Sequence, residues 1–289
     1  MLHILAATVA LILHPGDLPP LPPQDRVGDA YEIRLMNTSE TSSDDGSSGS
    51  SRSGGILVER VVAVRDDGVE LEFDLPSDAT AEDRARDWQW PARVLHAADG
   101  SLRLLNAPEL ETRIEAWLAL GQFPREACGH WIFTWNAFKI ECDPQSVIDT
   151  LKPYDLRLRE IHDGASYTEH GGLRPTLLRL ESSGPEGSVF VAETVVDPDF
   201  VRRERAESDV VVAEIMGEPK SLEEALQARA AEQVAGGIIT TLSTAADGRV
   251  VRRTRVTSLV TTNTEGVVER STSTLTAERR PLDRAGTPP

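Results

Sequence analysis

The chain has only three lysines and two cysteines in 289 residues, and aromatics make up 5% of it. No apolar run approaches the roughly 20 residues that a membrane-crossing helix needs. With so few lysines the basic residues are 27 arginines, and these interleave with acids, as in Arg202-Arg203-Glu204-Arg205 and Glu82-Asp83-Arg84. A positive face for nucleic acid is therefore excluded, and the net charge of −17 disfavours DNA, RNA and anionic membranes alike. The familiar catalytic motifs are missing too. The sequence has no G-x-S-x-G elbow, no phosphate-binding G-x-x-x-x-G-K-[ST], no H-E-x-x-H, no C-x-x-C and no G-x-G-x-x-G. No cofactor and no metal are expected.

What is present suits a globular chain, with 39% hydrophobic and 27% charged residues and length enough for a sizeable core. Residues 1–16 contain the apolar run Ile4–Leu13, which has the length of a signal-peptide core, although no Lys or Arg precedes it and no Ala-x-Ala follows. A strand or helix packed on the core is the alternative. A proline-rich linker is expected over residues 17–28, from Asp17-Leu18-Pro19-Pro20-Leu21-Pro22-Pro23. Export to a periplasmic or extracellular location is thus favoured over a cytoplasmic one.

A single α+β domain is expected over residues 29–280, with a disordered tail at 281–289. Alternation of Tyr31, Ile33 and Leu35 predicts a strand over 29–38. The Ser/Gly/Asp tract at 39–55 reads as a disordered loop, from which deleting Ser42 to Ser53 is expected to change stability by less than ~1 kcal/mol. Asp67-Gly68, Asp99-Gly100 and Asp247-Gly248 each separate two β-patterned runs and predict hairpins. Helices are predicted from Asn106, from Asp143-Pro144, from Asp197-Pro198 and from Ser221. The last runs through Leu222, Leu226, Ala230 and Val234 to Gly236-Gly237. The third is weakened by Val210-Val211-Val212, which prefers a strand. No strict β-α-β alternation appears, so the expected fold is a curved antiparallel sheet built from hairpins, with three to four helices on one face.

Two segments could carry chemistry. His162 to His170, with Asp163, Ser166 and Glu169, offers acid/base groups or metal ligands if a loop brings the histidines together, and otherwise forms a polar turn. Cys128-Gly129-His130 with Cys142 could hold zinc or form a Cys-His nucleophile. A disulfide fits better. Folding 128–142 as a hairpin about Trp135 sets Ile132 opposite Phe138, His130 opposite Ile140 and Cys128 opposite Cys142. Trp131, Phe133, Trp135 and Phe138 crowd this same stretch, as a core nucleus or as an apolar ligand surface. The expected function is a non-catalytic secreted or periplasmic envelope protein, holding an unknown apolar ligand or an envelope protein partner in a cleft between sheet and helices. The alternative is a hydrolase using His162–His170.

Overall fold

The computed structural model describes residues 25–133 and 137–282. The expected signal peptide, most of the proline-rich linker, Trp135 and nearly all of the expected C-terminal tail lie outside the described residues. The first three strands are β1 (Ala30–Ser43), β2 (Ser48–Arg65) and β3 (Gly68–Asp74). Asp67-Gly68 turns β2 into β3. Gly68 must be glycine, because a Cβ there would lie 2.3 Å from the carbonyl oxygen of His96. Helix α1 (Ala81–Arg86) follows, then β4 (Ala92–Ala97) and β5 (Leu102–Leu104), joined at Asp99-Gly100. Helix α2 (Ala107–Gly121) leads to a small hairpin, β6 (Trp131–Phe133) and β7 (Ala137–Lys139), and then to α3 (Ser146–Leu151). Short strands β8 (Ser166–Tyr167) and β9 (Thr176–Leu177) pair with each other. The chain continues as β10 (Arg179–Gly184), β11 (Gly187–Val195), α4 (Pro198–Ile215) and α5 (Leu222–Arg229). It closes with β12 (Gln233–Thr244), β13 (Val250–Thr262) and β14 (Val268–Pro281), of which the first two are joined at Asp247-Gly248.

One open antiparallel sheet of ten strands results, in the order β10-β11-β12-β13-β14-β1-β2-β3-β4-β5. The first and last described strands meet at its centre, where β14 pairs with β1 over thirteen residue pairs from Tyr31↔Pro281 to Ser43↔Glu269. Alternation gives the sheet two unlike faces. The outer face carries residues such as Glu32, Arg34, Thr38, Thr254 and Thr276. The inner face carries the cores. At one end Ile33, Leu57, Leu71 and Phe73 pack with Leu110, Ile114 and Leu118 of α2. Toward the β10 edge Phe190, Ala192, Leu242 and Ala277 pack with Leu156 and Leu178, and a third, smaller cluster joins Ile238 to Val196 and Val201.

The Ser/Gly tract at 39–55 is not a disordered loop. It forms the ends of β1 and β2, with only residues 44–47 left as a turn. Composition offers it no core, but β1 is held along its whole length between β14 and β2, so its backbone groups are paired on both sides. The turn is tied by Asp45 accepting from the Ser47 amide at 2.8 Å and by Arg270 on Asp44 at 2.7 Å.

The helices differ from expectation in number and extent. Five α-helices occur among the described residues. Thr80 and Asp83 form a capping box at α1 that the apolar pattern does not reveal, since that helix buries nothing. Asn106 precedes α2 but does not cap it with its side chain; its Oδ1 accepts from the Arg93 amide at 2.9 Å, tying the helix to β4. The Ser221–Glu224 capping box opens α5 as expected, but the helix ends at Arg229, and Val234 and Gly236-Gly237 belong to β12. Val210-Val211-Val212 stays helical within α4. The Asp197 cap and the Arg202–Asp199 and Arg203–Glu207 pairs support that helix from outside its valines.

Candidate functional site: a cleft beneath helix α4

Helix α4 starts against the sheet. Val201 is buried with Ile238 of β12, and Leu259 of β13 packs on the pair. Arg205, one turn on, reaches Glu269 of β14 at 2.8 Å and Glu232 at 3.2 Å. At its other end α4 meets β6, where Glu214 Oε1 lies 3.0 Å from His130 Nδ1 and accepts from the Trp131 amide at 3.2 Å. The His130 hydrogen bond, with that amide, holds the Glu214 carboxyl below its usual range. The helix thus runs from β12 to the β6–β7 hairpin, over the inner face of the strands between.

Eleven residues at about 100° each bring Val212 to within about 20° of the direction of Val201. Val201 is 6% exposed and Val212 is 54% exposed. On the C-terminal half of α4 that face is therefore exposed at Val212, with Ile215 half-buried beside it. On the inner face of β14, β1 and β2, Leu275, Asn37 and Ser53 form one row and Ser273, Ser39 and Ser51 the next. Trp131 and the exposed Phe133 stand at the β6 end.

The hairpin that receives α4 is cross-linked. Cys128 and Cys142 form a disulfide with Cα atoms 5.6 Å apart. Its ladder has the expected register, Ile132 opposite Phe138, and the Ile140 amide donates to the His130 carbonyl at 2.9 Å. Neither cysteine is available as a zinc ligand or nucleophile.

The opposite end of the inner face is closed by a strap at residues 152–159. Arg253 donates to the Asp155 and Pro153 carbonyls at 3.2 and 2.8 Å, and Asp155 sits 3.3 Å from His96. Arg157 bonds Glu59 and Asp25, both at 2.6 Å. Side chains fill this part of the inner face.

The segment from His162 to His170 does another job. The Gly164 amide donates to the Leu178 carbonyl, the Leu178 amide to Ala165, and the Leu180 amide to the Asp163 carboxylate at 2.8 Å. These bonds cover the start of the edge strand β10, a common protection against edge-to-edge association. His162 Nδ1 contacts only its own turn, at the Asp163 carbonyl, while His170 packs edge-on against Phe200 with ring centres 4.7 Å apart. Glu169 is taken up by Thr240 and Arg255. Beside it burial, then the Glu169 charge, pushes the Tyr167 phenol up to about 12. Among the described residues the two histidines share no partner. The sequence does not mark the inner-face residues of β1 and β2, because serines stand at both odd and even positions of the 39–55 tract and give it no alternation.

No protein-family model matches the sequence. No curated protein matches it either. Among solved structures the chain is similar to lipovitellin, described for its lipid–protein interactions, at 10% identity and a TM-score of 0.40. That match covers 91% of this chain but only 26% of the lipovitellin chain, so the chain spans about a quarter of it. An outer-membrane channel from Pseudomonas putida F1 gives 7% identity and a TM-score of 0.22, covering 93% of this chain and all of that one. The attachment invasion locus protein Ail of Yersinia pestis gives 5% and 0.16, covering 88% and 100%. At these TM-scores none of the likenesses carries weight for fold or function. No helix among the described residues is long and apolar enough to cross a membrane.

Proposed function

We propose that the chain is a non-catalytic envelope protein, periplasmic or extracellular, that holds an apolar ligand in the cleft beneath α4. One observation carries the ligand: Val212 shares a helix face with buried Val201, yet is 54% exposed. An exposed β-branched apolar side chain that continues a buried helix face suits an apolar guest. The Cys128–Cys142 disulfide supports the compartment, since such bonds persist in oxidising surroundings and seldom in the cytosol.

The test is a titration with N-phenyl-1-naphthylamine, an uncharged apolar dye whose emission rises on leaving water. The wild type should show saturable binding that Val212→Arg abolishes, at unchanged melting temperature because the residue is exposed. Equal dye binding by Val212→Arg would move the ligand out of this cleft.

A further inference from the structure

We infer that His130 and Glu214 form a pH-operated latch, which holds the C-terminal end of α4 to the disulfide-braced β6–β7 hairpin in mildly acidic solution and loosens it as the pH rises past neutral. This goes beyond the ligand reading and stands whether or not a ligand binds.

The anchors of α4 are unevenly spread along it. Its buried residues, Val201 and Ala206, both lie in the first half. Val201 packs on Ile238 there, and Arg205 pairs with Glu232 and Glu269. At mid-helix the Asp209 carboxylate takes two bonds from Arg229 of α5, at 2.7 and 2.8 Å. Past Asp209 the helix has one polar side chain, Glu214, among Val210, Val211, Val212, Ala213 and Ile215. Val212 and, just beyond the helix, Met216 are exposed. The bonds of Glu214 are therefore the polar fastening of this end.

Glu214 Oε1 accepts from the Trp131 amide at 3.2 Å and lies 3.0 Å from His130 Nδ1. The amide does not titrate, but imidazole side chains ordinarily do near pH 6.5. Glu214 stays ionised on both sides of that value, because these hydrogen bonds hold its carboxyl below its usual range. An imidazolium donates from both nitrogens, so its Nδ1–H meets the carboxylate in a charge-assisted bond. A neutral imidazole keeps one N–H. When that hydrogen is on Nε2, the Nδ1 lone pair faces the carboxylate and the contact repels. The latch thus contributes fully below histidine's ordinary range and is lost as the pH rises through it.

The other charges facing the pair come from the far side of the hairpin. Lys139 adds its field to Glu214 and is itself paired with Glu141 at 2.9 Å. Lysine and glutamate side chains ordinarily keep their charges between about pH 5.5 and about pH 8, which leaves the imidazole as the group that switches. The Cys128–Cys142 bond ties the two ends of the hairpin, so release frees the helix end rather than the hairpin.

The experiment is amide hydrogen exchange of the full chain at about pH 5.5 and about pH 8, corrected for intrinsic exchange rates and read by mass spectrometry on peptides covering 210–216 and 198–206. Protection of 210–216 is expected to be roughly two- to fivefold higher at the lower pH, the scale of an exposed ion pair, with 198–206 unchanged. His130 is 68% exposed, so His130→Gln folds and should remove the difference, as should Glu214→Gln; Lys139→Met should keep it. Equal protection at both pH values in the wild type, or the same pH difference in His130→Gln, would overturn the latch. A difference of equal size in 198–206 would assign the effect to the whole helix and overturn it too.

Discussion

Glu59 is 1% exposed, and its Oε1 accepts from two guanidinium groups, Arg157 at 2.6 Å and Arg279 at 2.5 Å. Arg279 also stacks on the Tyr31 ring, 3.6 Å from its centre, and Arg157 shares Asp25. Burial works against the charge on Arg157, but Glu59 and Asp25 outweigh it and raise its pKa. Glu59→Gln keeps the size and one carbonyl oxygen but removes the charge that the two arginines share. Breaking a buried ion pair by deleting one partner costs about 3–5 kcal/mol, because the remaining charge cannot regain water. At roughly 2–4 °C per kcal/mol for a chain of this order, the melting temperature should fall by roughly 6–20 °C. Urea unfolding followed by circular dichroism measures it, with the slope expected to stay constant while the midpoint drops. Glu193→Gln is the control, since Glu193 pairs with Arg179 at 3.6 Å on the surface and should cost under ~0.5 kcal/mol. A loss below about 1 kcal/mol at Glu59 would mean that water reaches the cluster and that this part of the sheet–strap interface is not packed.

Reducing the Cys128–Cys142 bond, or Cys128→Ser with Cys142→Ser, should lower stability by about 3 kcal/mol in the chain-entropy model, read from denaturant midpoints with and without reductant; an unchanged midpoint would refute it. Asp155 is pulled down by its hydrogen bond to His96, the His96 charge and Arg157 against a larger single opposing effect of burial. A depressed folded pKa adds stability above aspartate's ordinary value of about 3.9 and loses it as pH falls through the folded value. Asp155→Asn should therefore be less stable at neutral pH and show a flatter stability curve below pH ~4; an identical acid limb would exclude Asp155 as a contributor. Ultraviolet titration should find one tyrosine ionising only near pH 12, absent in Tyr167→Phe; three ordinary transitions would contradict its burial. Deleting Ser42 to Ser53 removes the β1–β2 pairs from Asn37↔Ser53 to Ser42↔Ser48 and should cost more than about 1 kcal/mol, visible as a melting temperature several degrees lower.

The hairpins were legible because each depends on a local signal, Asp-Gly between two β-patterned runs, and the disulfide because pairing about Trp135 puts both cysteines opposite each other. The capping boxes at α5 and the Asp-Pro opening of α4 are local in the same sense. What escaped depends on distant partners. The serine tract forms strands only because β14, more than 200 residues later, completes the ladder beside β1. Val234 and Gly236-Gly237 fit a helical stripe, yet pairing with β13 draws them into β12. The proposed cleft draws on both a strand face from a tract without hydrophobic residues and a helix face buried at Val201 but exposed at Val212, and neither shows in a window of sequence.

Native mass spectrometry of the full chain purified from its own host tests the central claim most directly. The account predicts a non-covalent companion of small-molecule mass that collisional activation removes, present on the wild type and missing from Val212→Arg. Wild-type protein that appears only at its bare mass, under conditions that keep other non-covalent complexes intact, would contradict it.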